Sequence, residues 1–252
     1  MIKAITFDFW QTLYQGQKID YAERLRRLKE NVEQGYGTSF SLEQFQDAVY
    51  VARDEWSRAW EEDHRTLNAA EWLDIMLGDL GITLQADHLE ILRLDMEESI
   101  LHTMPTLVDG AHEVLSKLAA RYRLAIISDT GLTPGRMLRH IMETDKVTGY
   151  FSHLTFSDEL GSSKPHSNNF LSTLKALEAE PHEAVHIGDL LRTDVLGAQK
   201  AGMRGVQYIG LNTDEVTPIT QNVTPDAVIS DHNELFPLLE KWNNTPRDHF
   251  DN

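Results

Sequence analysis

Four short segments carry side chains that could do chemistry together. The apolar run Ile2-Lys3-Ala4-Ile5-Thr6-Phe7 ends at Asp8, and the run through Ile126-Ile127 ends at Ser128-Asp129. Lys164 precedes Pro165, and Ile187-Gly188 leads into Asp189, with Asp194 beyond it. A carboxylate at the end of a buried strand stands where open α/β sheets place their ligands. Asp189 and Asp194 offer hard oxygen ligands of the kind that suits Mg²⁺. Taken singly, each group has an ordinary reading. An Asp after a strand is often a turn or cap residue, Ser128 a turn group, and Lys164 a solvated loop lysine. Their common placement at or just after strand ends, along one alternating pattern, sets the group apart.

The elements that must position these groups are short and β-branched or apolar: Ala4 to Phe7, Leu124 to Ser128, His153 to Phe156, Ala184 to Ile187, Val206 to Ile209 and Ala227 to Ile229. Helical patterns lie between the later ones, as in Asp109 to Ala120 and Asn168 to Glu178. Strand alternating with helix predicts a doubly wound parallel sheet, an α/β Rossmann-like core. Thr133 reads as an N-cap with Pro134 at the first helical position. From about Asp20 to Leu101 the chain shows helices and no convincing strand. Asp20 with Glu23, Ser41 with Gln44, and Asn68 with Glu71 each read as a cap and its partner three residues on. Behind the second cap, Phe45, Val49, Ala52, Trp56 and Trp60 share a helical face, read as packing between helices. Behind the third, Trp72, Ile75, Met76 and Leu80 do the same, and Gly81 is a stop. The expected division is a core of residues 1–15 and 102–242, an inserted helical cap over 16–101 acting as a lid, and a flexible tail over 243–252.

The 252 residues suit a core with a smaller lobe, and 41% apolar content supports a packed interior. The formal charge of −17 argues against a nucleic-acid backbone or an anionic membrane as partner. It allows a small anionic substrate, because a bound cation and one lysine reverse the field locally. With no cysteine, disulfides and thiolate metal sites are ruled out. The chain opens directly into a strand without a leader pattern and has no apolar run of about 20 residues. A cytoplasmic protein is expected, and its oligomeric state is left open.

In order and context, Asp8, Ser128, Lys164 and Asp189 with Asp194 resemble the four signatures of the haloacid dehalogenase-like hydrolases, a family made up mostly of phosphatases. The resemblance covers nearly the whole chain, and the helical lid after the first strand is similar to that of the subgroup with 2-haloacid dehalogenases and small-molecule phosphatases. It implies Asp8 as nucleophile toward a small phosphorylated substrate. It implies a Mg²⁺ ion held by the Asp8 carboxylate, the backbone carbonyl of Trp10 and Asp189, with Asp194 behind or beside them. Ser128 and Lys164 would hold the phosphoryl group, and Thr12 and its backbone would support the loop behind Asp8.

One signature departs. Trp10 stands where the family's phosphatases carry a second Asp, which protonates the leaving oxygen and then activates water. An indole N–H donates but does not titrate in this range. Losing general acid–base help costs about 10²–10⁴-fold in rate. Alkyl esters suffer most, whereas acyl and activated aryl phosphates leave without a proton. Gln11 replaces a customary Gly, so the loop must turn without that freedom. Asp129 could substitute as base, but capping the next helix or orienting Lys164 is the preferred reading. Two other readings stay open: a metal-free carbon–halogen hydrolase, whose family members place an aromatic residue at Trp10's position, and a degenerate member that binds a phosphorylated ligand or a protein without turnover. Asp189 weighs against the former, because it would repel Asp8 without a cation between them.

Overall fold

The computed structural model describes residues 1–18, 20–211 and 220–245. Six parallel strands form the main sheet: β1 (Ala4–Phe7), β4 (Arg123–Ser128), β5 (Phe151–Phe156), β6 (Ala184–Gly188), β7 (Arg204–Tyr208) and β8 (Ala227–Ile229), in the order β5-β4-β1-β6-β7-β8. The strands read as near-continuous apolar runs because helices cover both faces. Side chains alternate accordingly. Ile5 and Phe7 enter one core layer with Leu124, Ile126 and Ile187, while Ala4 enters the other with Ala125, Ile127 and Phe170.

The order reverses at β1. Phe7 pairs with Ile126 of β4 on one side and with Ile187 of β6 on the other. The carboxyl ends of these three strands therefore open onto one crevice, at the switch point where such sheets bind ligands.

A small antiparallel pair, β2 (Tyr14–Gln15) and β3 (Thr106–Leu107), carries the chain out of the sheet and back. Between them run four helices: α1 (Tyr21–Tyr36), α2 (Leu42–Glu61), α3 (Ala69–Asp79) and α4 (Ala86–Glu98). They bury a cluster of their own, including Val32, Phe45, Ala52, Trp72, Met76 and Leu92. Ser41 and Asn68 both close capping boxes, and Asp20 accepts from the Glu23 N–H, as their spacing predicts. Gly81 adopts the left-handed conformation just past α3.

The remaining helices are α5 (Ala111–Ala119), α6 (Gly135–Thr144), α7 (Ser157–Leu160), α8 (Ser167–Ala176), α9 (Leu196–Lys200) and α10 (Leu235–Asn244). Two expectations need correction. Helix α6 starts at Gly135 with Pro134 as its N-cap residue, and the capping acceptor is Asp158, whose two oxygens take the Gly135 N–H at 3.2 and 3.1 Å. The expected flexible tail begins too early, because Asn243 and Asn244 belong to α10 and Asn243 Oδ1 accepts from Ile2 N at 2.7 Å. Residues 246–252 of that tail lie outside the described residues. No helix among the described residues is long and apolar enough to cross a membrane.

Candidate active site

Asp8 follows β1 directly, and its N–H donates to Ile187 O at 2.8 Å, which locks the residue to β6. The chain then turns back sharply. Gln11 takes φ +54, the left-handed conformation that costs a residue with a Cβ about 1–2 kcal/mol. Backbone bonds from Leu13 and Tyr14 to Phe9 O and from Gln11 N to Tyr14 O hold the turn. Thr12 is wholly buried behind it. The sequence's missing glycine is thus replaced by a strained glutamine in a well-bonded loop.

Asp189 follows β6, and Asp194 lies in the turn Leu191–Val195 just before α9. Gly188 is required against Asp194: a Cβ there would lie 2.2 Å from Asp194 Cγ. Lys164 Nζ donates to Asp8 Oδ1 at 2.5 Å and to Asp194 Oδ1 at 2.6 Å. All three groups are buried. Asp194 Oδ1 also faces His186 Nε2 at 3.1 Å, and its Oδ2 accepts from Leu190 N at 3.0 Å and Thr193 Oγ1 at 3.2 Å. Thr6 Oγ1 lies 2.8 Å from His186 Nδ1, so the ring, with Nε2–H toward the carboxylate, props Asp194 from below.

The charges explain the titration of the group. Burial pushes the Asp8 carboxyl well above its usual range; Lys164 offsets part of this, while Asp194 and Asp189 add to it. Burial would lower the Lys164 ammonium, yet Asp194, Asp8 and Asp129 outweigh it and hold the group charged. Burial also opposes ionisation of Asp194, but Lys164 and His186 prevail and keep it far below the ordinary carboxylate range. Desolvation lowers His186, in keeping with a neutral ring.

Asp8, Trp10, Asp129, Lys164, Asp189 and Asp194 line one cavity of about 270 Å³. Thr12 and Ser128 stand outside its lining; Ser128 is buried at the end of β4, its Oγ donating to Asp129 O at 3.2 Å. Asp129 caps no helix. Its Oδ1 accepts from Lys164 N at 2.9 Å and its Oδ2 from Trp60 Nε1 at 2.8 Å, so it fixes the lysine's backbone and ties α2 to the site. Burial raises its carboxyl.

The aromatic face of α2 also needs correction. Phe45 and Ala52 are buried among the helices and Val49 packs against them, but Trp56 and Trp60 line the cavity as well. Sequence reasoning missed these two as site residues, together with His186, Thr130 and Thr193. A histidine inside the apolar run Ala184 to Ile187 was the one available signal for His186; nothing in the spacing separated Trp60 from its packed neighbours.

One ammonium, Lys164, lines the cavity against four carboxylates: Asp8, Asp129, Asp189 and Asp194. Ligand oxygens of Asp8, Asp189 and Asp194 lie within 4.8 Å of one another. This donor set suits a hard cation, since oxygen-only, buried and over-charged clusters are balanced by such ions.

The chain is 23% identical over 241 residues to a glyceraldehyde 3-phosphate phosphatase of Methanopyrus kandleri, covering 96% of this chain and 98% of that protein. It is 30% identical over 142 residues to the enzyme of that name from Pyrococcus furiosus, 56% of this chain and 58% of the other. Among solved structures, a 2-haloacid dehalogenase from Pseudomonas syringae superposes with a TM-score of 0.70 at 26% identity, covering 96% of this chain and 100% of that one. The family model of the haloacid dehalogenase-like hydrolases matches residues 2–202, and with the switch-point aspartate, buried lysine and acidic cluster in place, this chain belongs to that family.

Proposed function

We propose that the chain is a Mg²⁺-dependent phosphatase that acts on a small phosphorylated metabolite through a phospho-intermediate on Asp8. The observation that carries this reading is the excess of carboxylate over ammonium around Asp8. Asp8, the Trp10 carbonyl and Asp189 would hold the ion. Asp194 stands behind them, because both of its oxygens are already engaged by Lys164, His186, Leu190 and Thr193. Bound there, Mg²⁺ would neutralise the repulsion between Asp8 and an incoming phosphoryl group.

The residues divide the remaining work. The Asp8 carboxylate attacks phosphorus, and the bond to the leaving oxygen breaks with its electron pair going to that oxygen. Lys164 orients Asp8 and offsets phosphoryl charge, Asp129 holds the Lys164 backbone, and Ser128 and Thr12 support the loops behind. Trp10 supplies no proton, so substrates with stable leaving oxygens are favoured over alkyl esters. Water then attacks phosphorus and restores Asp8, a step that has no titratable helper at position 10. Helices 16–101 form the lid; Trp60 on Asp129 supports this placement.

The names of the relatives support phosphatase chemistry, and the Pseudomonas neighbour together with Trp10 favours a second reading, carbon–halogen hydrolysis without metal. A haloacid carboxylate would add another anion to a lining that already holds four, which weighs against it. The deciding experiment measures phosphate release from p-nitrophenyl phosphate, acetyl phosphate and glycerol phosphate, with Mg²⁺ or with chelator. Release from the first two in Mg²⁺ alone is expected. Metal-free halide release from 2-chloropropionate, or Mg²⁺-dependent phosphate binding without turnover of any ester, would replace the reading with a dehalogenase or a binding protein.

A further inference from the structure

Three tryptophans from two distant parts of the chain meet at this cavity. Trp10 comes from the loop after β1, and Trp56 and Trp60 come from adjacent turns of α2. Trp56 and Trp60 stack with ring centroids 6.0 Å apart and planes at 18°. Each is held by neighbours. The Arg192 guanidinium lies 4.1 Å from the Trp60 ring centre, and Trp60 Nε1 is anchored on Asp129. Trp56 lies over the turn at Gly131, where a Cβ would come within 3.5 Å of its ring. Trp10 meets the ring of Phe9 edge-on at 4.9 Å. Fixed rings offer aromatic surface to the cavity at no further cost in side-chain entropy.

We infer that this wall selects phosphate monoesters whose leaving group is a planar aromatic or heteroaromatic hydroxyl. The inference rests on the phosphatase reading above and names its substrate class. Two features converge on it. Trp10 removes the proton donor, so the leaving oxygen must depart as a stabilised anion. In an aryl phosphate the P–O bond breaks as Asp8 bonds to phosphorus, and the electron pair delocalises into the ring without any proton. The same Trp10, with Trp56 and Trp60, then lines the cavity with aromatic surface that a planar ring packs against better than an acyl group does. A residue that costs the site its acid thus adds to the surface that recognises a substrate needing none.

The test compares kcat/KM for 4-methylumbelliferyl phosphate, p-nitrophenyl phosphate and acetyl phosphate in Mg²⁺, for wild type, Trp56→Leu and Trp56→Phe. All three substrates lose their leaving groups without a proton, so chemistry alone does not separate the aryl esters from acetyl phosphate by ring size. The bicyclic ester is expected to exceed the monocyclic one in wild type. The ratio of umbelliferyl to acetyl kcat/KM is expected to fall about tenfold in Trp56→Leu, chiefly through KM, and to be largely restored in Trp56→Phe. A wild type that favours acetyl phosphate and ignores ring size, or a ratio unmoved by Trp56→Leu, overturns the inference and leaves the phosphatase reading standing. Should Trp56→Leu fail to fold, the ring-size comparison in wild type still decides. No Mg²⁺-dependent release from any of the three overturns both.

Discussion

At the residue scale, the site is a buried charge balance with one conspicuous substitution. Asp8, Asp194 and Lys164 form a chain of short contacts, and His186 and Thr6 continue it into the sheet. Removing one partner of such a chain leaves a buried charge uncompensated, which is why every link is a side chain already held by another. Trp10 lies outside this balance and, in the proposed mechanism, has no proton to give to the leaving oxygen. Trp10→Asp is therefore expected to raise kcat/KM for Mg²⁺-dependent hydrolysis of glycerol phosphate, with about 10²–10⁴-fold as the range available to a restored acid, and to change kcat/KM for acetyl phosphate, whose transfer step needs no acid, far less. An equal rise for both substrates, or none, would contradict the role given to this position. Asp8 and Asp189 were legible because each follows an apolar run, and Lys164 and Asp194 because their order along the chain resembles the family's signatures. His186 and Trp60 were not, because an inward-facing histidine in a strand and a tryptophan on a helix face look like core residues until the opposing chain is in place.

At the element scale, local signals and long-range ones behaved differently. Ser41, Asn68 and Asp20 cap from within a few residues, so their helices begin where spacing predicts. Helix α6 begins one residue later than predicted, because its cap is Asp158, 23 residues away in sequence on α7. A side chain delivered across the fold leaves no local pattern to read. Asp158→Ala is expected to cost about 1 kcal/mol, in the range of lost N-caps, seen as a lower urea midpoint with unchanged slope. An unchanged midpoint would show that the Gly135 N–H finds another acceptor. The six strands of the main sheet were legible as apolar runs, two with their observed bounds and four with ends shifted by one or two residues, while the short β2 and β3 were missed. Their neighbours were not legible: nothing in β1 itself says that β4 and β6 flank it.

At the scale of the whole molecule, stability responds to pH through a buried histidine. His232 is buried beneath the sheet, stacked on Tyr208 at 4.4 Å and edge-on to Phe7 at 6.2 Å, and burial pushes its imidazole down to about 4. The folded protein holds this ring neutral, whereas the unfolded chain protonates it near 6.5. Its contribution is therefore complete above about pH 6.5 and is lost as pH falls through about 4, a drop of roughly 3 kcal/mol across that window. His232→Phe, which keeps the stacking, is expected to flatten the decline in chemical-denaturation stability between those pH values; an identical slope in the variant would remove His232 from the account. In the proposed mechanism Asp8 carries the phosphoryl group. With no acid–base residue at position 10, hydrolysis of that intermediate should be slower than its formation. Stopped-flow mixing of the Mg²⁺-loaded protein with p-nitrophenyl phosphate should then give a burst of nitrophenolate near one equivalent per chain, followed by slower turnover, with both phases absent in Asp8→Asn. Turnover retained by a clean Asp8→Asn preparation would contradict the account.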